Sequence, residues 1–345
     1  MLGLAGAVNV ARLGRLLLLD DLAKARRILE SGETRRRAPR GCPRTAPPRR
    51  RERRRRADES PEDERAQPSV SRLAVHATIV RVRVCTLGDL LLDVIVRLDT
   101  PLSPGDDVTA ATALVPGGQA ANVAAWAVAL GAEGRIVATR SEDDAGALVQ
   151  RELAARGVDV CGPAGDRTGV VVSLVDPSGD RTMASDRGAA PELRADALAE
   201  DWFRCDALHL SGYSLMREPI VSAAIRAAAL ARAHGARVSV DLSSSGLVER
   251  FGPTLREAMA QIAPDVVFGT EREWQALGPA PAGTRVVKRG AHGISVDGDD
   301  YAPREATVVD TTGAGDAAAA GFIVGGPEVA LEAAARCVAQ VGAMP

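Results

Sequence analysis

Residues 308–322 read VVDTTGAGDAAAAGF. Two β-branched residues lead to Asp310, two threonines follow, and the small-residue loop Gly313, Ala314, Gly315 delivers Asp316 into an Ala-rich helical run. This is a strand–turn–helix junction. A loop with so little side-chain bulk lets its backbone N–H groups close on a ligand at a helix N-terminus, where the helix dipole favours an anion such as a transferring phosphoryl group. A carboxylate at Asp316 stands at the same place and can take the proton of a hydroxyl attacking that phosphorus. An isolated Asp before a helix is ordinarily an N-cap. Two Thr, two Gly and two Asp in this order exceed what a cap requires.

Upstream of this junction the chain alternates from residue 81 onward. Arg81–Leu87 reads as a first strand ending at the turn Gly88-Asp89, and strand-like runs recur at 135–139, 170–175, 207–210, 237–241, 266–268 and 285–288. Helical runs at 119–130, 144–156, 218–234 and 254–261 fall between many of them. Alternating β and α at this spacing predicts an α/β domain with a mainly parallel sheet covered on both faces. Residues 93–115 and 170–187 break the alternation: both are strand-rich, carry turn signals, and lack a prompt helix. They predict a small projecting sheet that could act as a lid.

The formal net charge of −2 hides a basic N-terminal part and an acidic remainder. Residues 34–68 are mostly Arg, Pro, Glu and Ser. Such a stretch cannot bury enough apolar surface to offset its ordering entropy, so residues 1–80 are expected to be an Arg-rich, largely disordered extension. Val8–Leu29 could form an amphipathic helix, and Arg49–Arg56 is read as a solvated run rather than a nucleic-acid site. The five cysteines form no CxxC pair, no apolar run reaches membrane-spanning length, and no leader segment is in evidence, so a cytoplasmic protein is expected. There is no GxxxxGK[ST] and no protein-kinase HRD or DFG set, and GGQAAN at 117–122 is not a GxGxxG fingerprint. Lysine occurs only at positions 24 and 288, and asparagine only at 9 and 122, which makes Lys288 and Asn122 informative.

DTTGAGD at 310–316 resembles the C-terminal signature of the ribokinase-like (PfkB-type) carbohydrate kinases, and GGQAAN at 117–122 resembles their N-terminal GGxxxN signature. The two lie in the family's order, and the resemblance covers residues 81–345. It implies a Rossmann-like three-layer sandwich with a β lid and transfer of the γ-phosphoryl group of ATP-Mg²⁺ to a sugar or nucleoside hydroxyl. Asp316 then matches the catalytic base, and the backbone of Gly313, Ala314 and Gly315 the anion hole. Asp93 matches the sugar-binding Asp, and Gly117, Gly118, Gln119 and Asn122 would line the acceptor pocket. Lys288, Gly290 and Gly293, in KRGAHG, resemble the TxGxxG nucleotide loop with Lys in place of Thr. Glu273 matches the glutamate of NxxE that organises Mg²⁺ indirectly, with Thr270 in place of Asn and Glu271 also a candidate. Asp310 and Thr312 match positions that bind a monovalent cation, K⁺, in many members.

Departures from the family pattern are Leu91, the Ser141-Glu142-Asp143 run where the family has Gly-Asp-Asp, and few residues after Asp316, which implies an abbreviated adenine pocket. A non-catalytic sugar or nucleotide sensor on the same fold is the alternative activity. The acceptor is read as a neutral sugar or ribonucleoside. A sugar phosphate is the alternative acceptor, for which Arg181 and Arg187 would supply charge. Exposed edges of the lid predict a homodimer through it.

Overall fold

The computed structural model describes residues 81–281 and 283–345. The Arg-rich extension expected over 1–80 lies outside the described residues. Along the chain, β1 (Arg83–Leu87) leads to β2 (Leu91–Leu98), β3 (Ala110–Gly117), α1 (Gln119–Ala129), β4 (Glu133–Val137), β5 (Arg140–Ser141), α2 (Asp144–Ala155), β6 (Asp159–Cys161), β7 (Ala164–Gly165), β8 (Thr168–Val175) and β9 (Arg181–Gly188). Then come β10 (Ala207–Ser211), α3 (Ile220–Ala233), β11 (Arg237–Asp241), α4 (Ser245–Ile262), β12 (Val266–Thr270), α5 (Glu271–Leu277), β13 (Thr284–Lys288), β14 (Ile294–Val296), β15 (Asp299–Tyr301), α6 (Ala314–Gly325) and α7 (Pro327–Val338).

Nine strands form one sheet in the order β15-β14-β13-β12-β11-β10-β1-β4-β6. All neighbours from β13 to β6 are parallel, and β14 and β15 close one edge antiparallel. The Val-rich strands are buried on both faces, as a parallel sheet requires. Alternate residues go to opposite layers. Val240, Val267 and Val287 pack with α3, α4 and α5, around Leu215, Ile220 and Met259. Val266, Phe268 and Val286 pack with α1, α6 and α7, around Trp126 and the alanines 317–320. The expected three-layer α/β architecture is therefore present.

The other notable sheet has four strands in the order β3-β2-β8-β9. β2 pairs antiparallel with β3 and parallel with β8, and β8 pairs antiparallel with β9. Both stretches that broke the β/α alternation thus join in one small sheet. Leu91, Val171 and Ala190 are buried beneath it, whereas Leu114 and Met183 are exposed. Asp143 ties it to the main body. Its carboxylate caps α2 through Gly146 N (2.8 Å) and accepts from Thr168 N (2.8 Å) and Thr168 Oγ1 (2.6 Å) at the start of β8. Burial alone would raise the Asp143 pKa, but these donors hold it below the usual carboxylate range.

The helix expected over 254–261 is longer, because α4 begins at Ser245 and runs through Gly252 and Pro253. Both residues disfavour helix interiors. Burial of Val248 and Leu255 on one face supplies the compensation. No helix among the described residues is long and apolar enough to cross a membrane.

Trp126 holds the second layer together. It is 1 % exposed, its Nε1 donates to Ala343 O at 2.8 Å, and the Arg336 guanidinium lies 5.5 Å from its ring centre. Trp126→Ala is expected to cost about 3–5 kcal/mol, and Trp126→Phe less, in urea unfolding midpoints. An unchanged midpoint for the alanine variant would show that this anchor does not carry the layer.

Candidate active site

The chain runs from β1 to β4 and β6 on one side, then returns to place β10 on the other side of β1. The strand order therefore reverses beside β1. In an open α/β sheet, the crevice for a ligand opens at such a point, beyond the C-terminal ends of the strands. Ser211 ends β10, Asp241 ends β11 and Lys288 ends β13. The N-termini of α1 and α6 approach the same place, because Asn122 Nδ2 donates to Asp316 Oδ2 at 2.7 Å. These two residues are 194 positions apart in sequence.

Asp316 lies in the first turn of α6, behind Gly313, which takes the left-handed conformation as N-cap. Burial pushes its pKa up to about 6, with the charge of Asp241 adding to the rise; Asn122, Lys288 and Gln119 pull it back. Asn122 is 6 % exposed, and its Oδ1 has no partner among the described residues. A buried acceptor left unpaired beside a carboxylate is suited to a ligand hydroxyl. Gln119 Oε1 accepts from Ser211 Oγ (2.6 Å) and Ser243 Oγ (2.5 Å), which fixes the amide at the head of α1.

Lys288 and Asp241 form a buried ion pair with Nζ to Oδ2 at 2.6 Å, the side chains being 14 % and 1 % exposed. Burial by itself would lower the Lys288 pKa. The carboxylates of Asp241 and Glu273 more than offset it and hold the ammonium charged. A methyl group on Gly315 would stand 3.3 Å from Lys288 Nζ. The lysine therefore lies directly against the α6 loop, where it adds positive charge to the backbone N–H groups.

On the small-sheet side, Asp93 of β2 sits over Gly117. A Cβ on Gly117 would come within 2.2 Å of the Asp93 carboxylate. Burial pushes the Asp93 pKa up to about 6. Gly118 has φ of 100°, and a Cβ there would meet Asp89 O at 2.2 Å, so only glycine fits. Asp89 itself is held by Arg187 of β9 through two bonds of 2.6 Å each, and Arg187 also donates to Tyr213 O at 3.2 Å.

The remaining expected residues fall into two groups. Glu273 is buried, and its Oε2 accepts from Thr270 N (2.7 Å) while Thr270 Oγ1 caps α5. Thr270 thus replaces Asn without loss of the cap. Gly290 is open to solvent in the turn after β13, whereas a Cβ on Gly293 would meet Tyr301 O at 2.1 Å, so that glycine serves the β14–β15 edge. Among the described residues no three His, Cys, Asp or Glu converge as a metal cage.

Asp310 and Thr312 do not fit a monovalent cation. Asp310 accepts from Thr312 N (2.9 Å), Thr312 Oγ1 (2.5 Å) and Gly342 N (3.0 Å), and the Arg181 guanidinium donates to Thr312 Oγ1. Both carboxylate oxygens are thus already taken up by donors, with the Arg181 guanidinium 3.8 Å away.

Sequence reasoning did not find Asp241, Ser211 or Ser243 as parts of the site, and it named Arg187 as charge for a sugar phosphate rather than as the partner of Asp89. Asp241 carried one signal, as a carboxylate closing the alternating run Arg237–Asp241. His209, buried with its Nδ1 2.9 Å from Ser239 Oγ, is pushed by burial down to about 4 and stays a neutral packing residue.

Residues 82–344 match the pfkB family of carbohydrate kinases. The chain is 33 % identical over 280 residues to an ATP-dependent ribose-1-phosphate kinase of Halopiger xanaduensis, covering 74 % of this chain and 90 % of that one. It is 28 % identical over 267 residues to a fructokinase of Escherichia coli, covering 70 % and 84 %. The fold is similar to that of an adenosine kinase of Sinorhizobium meliloti, with TM-score 0.69 and 24 % identity over 77 % of this chain and 96 % of that one. The family match spans nearly all the described residues, and the chain belongs to the pfkB family of carbohydrate kinases.

Proposed function

We propose that this kinase passes the γ-phosphoryl group of ATP to a hydroxyl of a neutral sugar or ribonucleoside, with Asp316 as the base. The observation that carries the reading is the Asn122–Asp316 contact of 2.7 Å, which joins the acceptor-side loop to the phosphate-side loop. Phosphoryl transfer demands little covalent work from the protein, so positioning and charge stabilisation do most of it. The backbone of Gly313, Ala314 and Gly315 at the α6 N-terminus holds the transferring group, and Lys288 faces the developing charge. Mg²⁺ arriving with ATP would neutralise the phosphates, and Glu273, whose charge already acts on Lys288, would help organise it indirectly. Asp93 accepts hydrogen bonds from acceptor hydroxyls, with Gly117 and Gly118 giving it room, and Gln119 and Asn122 complete the pocket floor. The reacting hydroxyl lies beside Asp316, which removes its proton as the oxygen attacks phosphorus.

A neutral acceptor is favoured because the two arginines of β9 are already committed. Arg187 is clamped on Asp89 and Arg181 is set against the Asp310–Thr312 segment. A sugar phosphate is the second reading, supported by the ribose-1-phosphate kinase among the relatives. ADP release with fructose, ribose, adenosine and ribose 1-phosphate separates the two. The highest kcat/KM with a neutral compound supports the proposal, and preference for ribose 1-phosphate sinks it. ATP binding without turnover of any acceptor would favour a sensor.

Asp316→Asn is expected to lower kcat by about 10²–10⁴-fold at unchanged ATP affinity. A carboxyl with a pKa near 6 is protonated and inactive as a base below that value. Hence kcat/KM is expected to rise as pH increases through about 6 and to level off above it. A flat profile from pH 5 to 8 would argue against this base, the window following from the same pKa. Gly117→Ala pushes a methyl into Asp93, and is expected to raise the acceptor KM by about tenfold or more, the worth of a displaced charged hydrogen bond, with a smaller change in kcat. Equal acceptor KM in both proteins would remove Asp93 from the pocket.

A further inference from the structure

One side chain links the small sheet to the phosphate-side loop. Arg181, the first residue of β9, donates to Thr312 Oγ1, and its Nη2 donates to Thr311 Oγ1 at 3.3 Å. Its Nη1 lies 3.8 Å from Asp310 Oδ1, with the two side chains 29 % and 14 % exposed. The Thr312 hydroxyl is used twice, as donor to Asp310 and as acceptor from Arg181. A monovalent cation needs converging oxygens with free lone pairs. Here the lone pairs face N–H and O–H groups, and a fixed positive charge already stands beside the carboxylate.

That charge has a use. Asp310 is held in its ionised form: burial would raise its pKa, but Thr312, Gly342 and Arg181 bring it below the usual range. An unbalanced carboxylate three residues ahead of Gly313 would oppose an incoming phosphate. We infer that the Arg181 guanidinium takes the place of a monovalent cation at the Asp310–Thr312 segment, so that phosphoryl transfer proceeds without K⁺. The inference rests on the reading of Gly313–Gly315 as the phosphate-holding loop.

The test compares KCl with tetramethylammonium chloride at equal ionic strength on the full-length protein, using two readouts. One is ADP release with the best acceptor from the panel, and the other is the melting temperature. Wild type is expected to give the same turnover and the same melting temperature in both salts. Arg181→Ala is expected to lose roughly ten- to a hundredfold in turnover without K⁺. K⁺ then restores part of that loss and raises the melting temperature, and tetramethylammonium does neither. Arg181→Gln keeps length and hydrogen bonding but not charge, so it gives the same dependence if the alanine variant folds poorly. Severalfold K⁺ activation of wild type overturns the proposal. So do Arg181→Ala and Arg181→Gln variants that respond alike to both salts. Failure of the phosphate-loop reading would show as loss of ADP release with every acceptor, whereas the melting readout, which does not depend on turnover, still scores the exchange of Arg181 for K⁺.

Discussion

The buried pair Lys288–Asp241 is the interaction on which the reaction centre depends. The carboxylates of Asp241, Glu273 and Asp316 all act on the charge of Lys288. Such a gathering of negative charge repels a nucleotide and drives protons onto the carboxylates. One ammonium, 2.6 Å from Asp241 and packed against Gly315, answers both problems. It balances the deepest carboxylate and offsets part of the burial that pushes the Asp316 pKa up to about 6. Breaking a buried pair from one side leaves an uncompensated charge, so neither partner is freely replaceable.

The rest of the site depends on glycine in a different way. Gly117 and Gly118 bring α1 up against Asp93 and the Asp89 backbone, and Gly315 lets Lys288 lie on the α6 loop. The two signature loops are therefore places where backbone approaches charge. Once α1 and α6 are seated in this manner, Gln119 is fixed by Ser211 and Ser243, and Asn122 reaches Asp316.

Much of this was legible in the sequence, for local reasons. Val-rich runs alternating with helical stretches give the parallel sheet, and the loops around Gly117 and Gly315 announce themselves by small residues next to Asn122 and Asp316. The parts that stayed hidden are contacts between distant segments. Nothing in RVSVD marks Asp241 as the partner of a lysine 47 residues away, and Asp89 and Arg187 look like a turn and a strand end until the small sheet folds over. The start of α4 was missed because Gly252 and Pro253 oppose a helix that burial of Val248 and Leu255 nonetheless sustains. The cation expected at Asp310 was a matter of resemblance, and Arg181, which meets that segment from 129 residues upstream, could not be read from local pattern.

The span between Asn122 and Asp316 has a consequence for how the enzyme comes into being. A chain is made from its N-terminus, and its early strands emerge first. The acceptor loop and the small sheet are thus synthesised well before α6, and Trp126 waits for Ala343 to complete its surroundings. Until those segments are made, Asn122 lacks Asp316 and Trp126 lacks Ala343, so neither contact that joins the two ends of the domain can form.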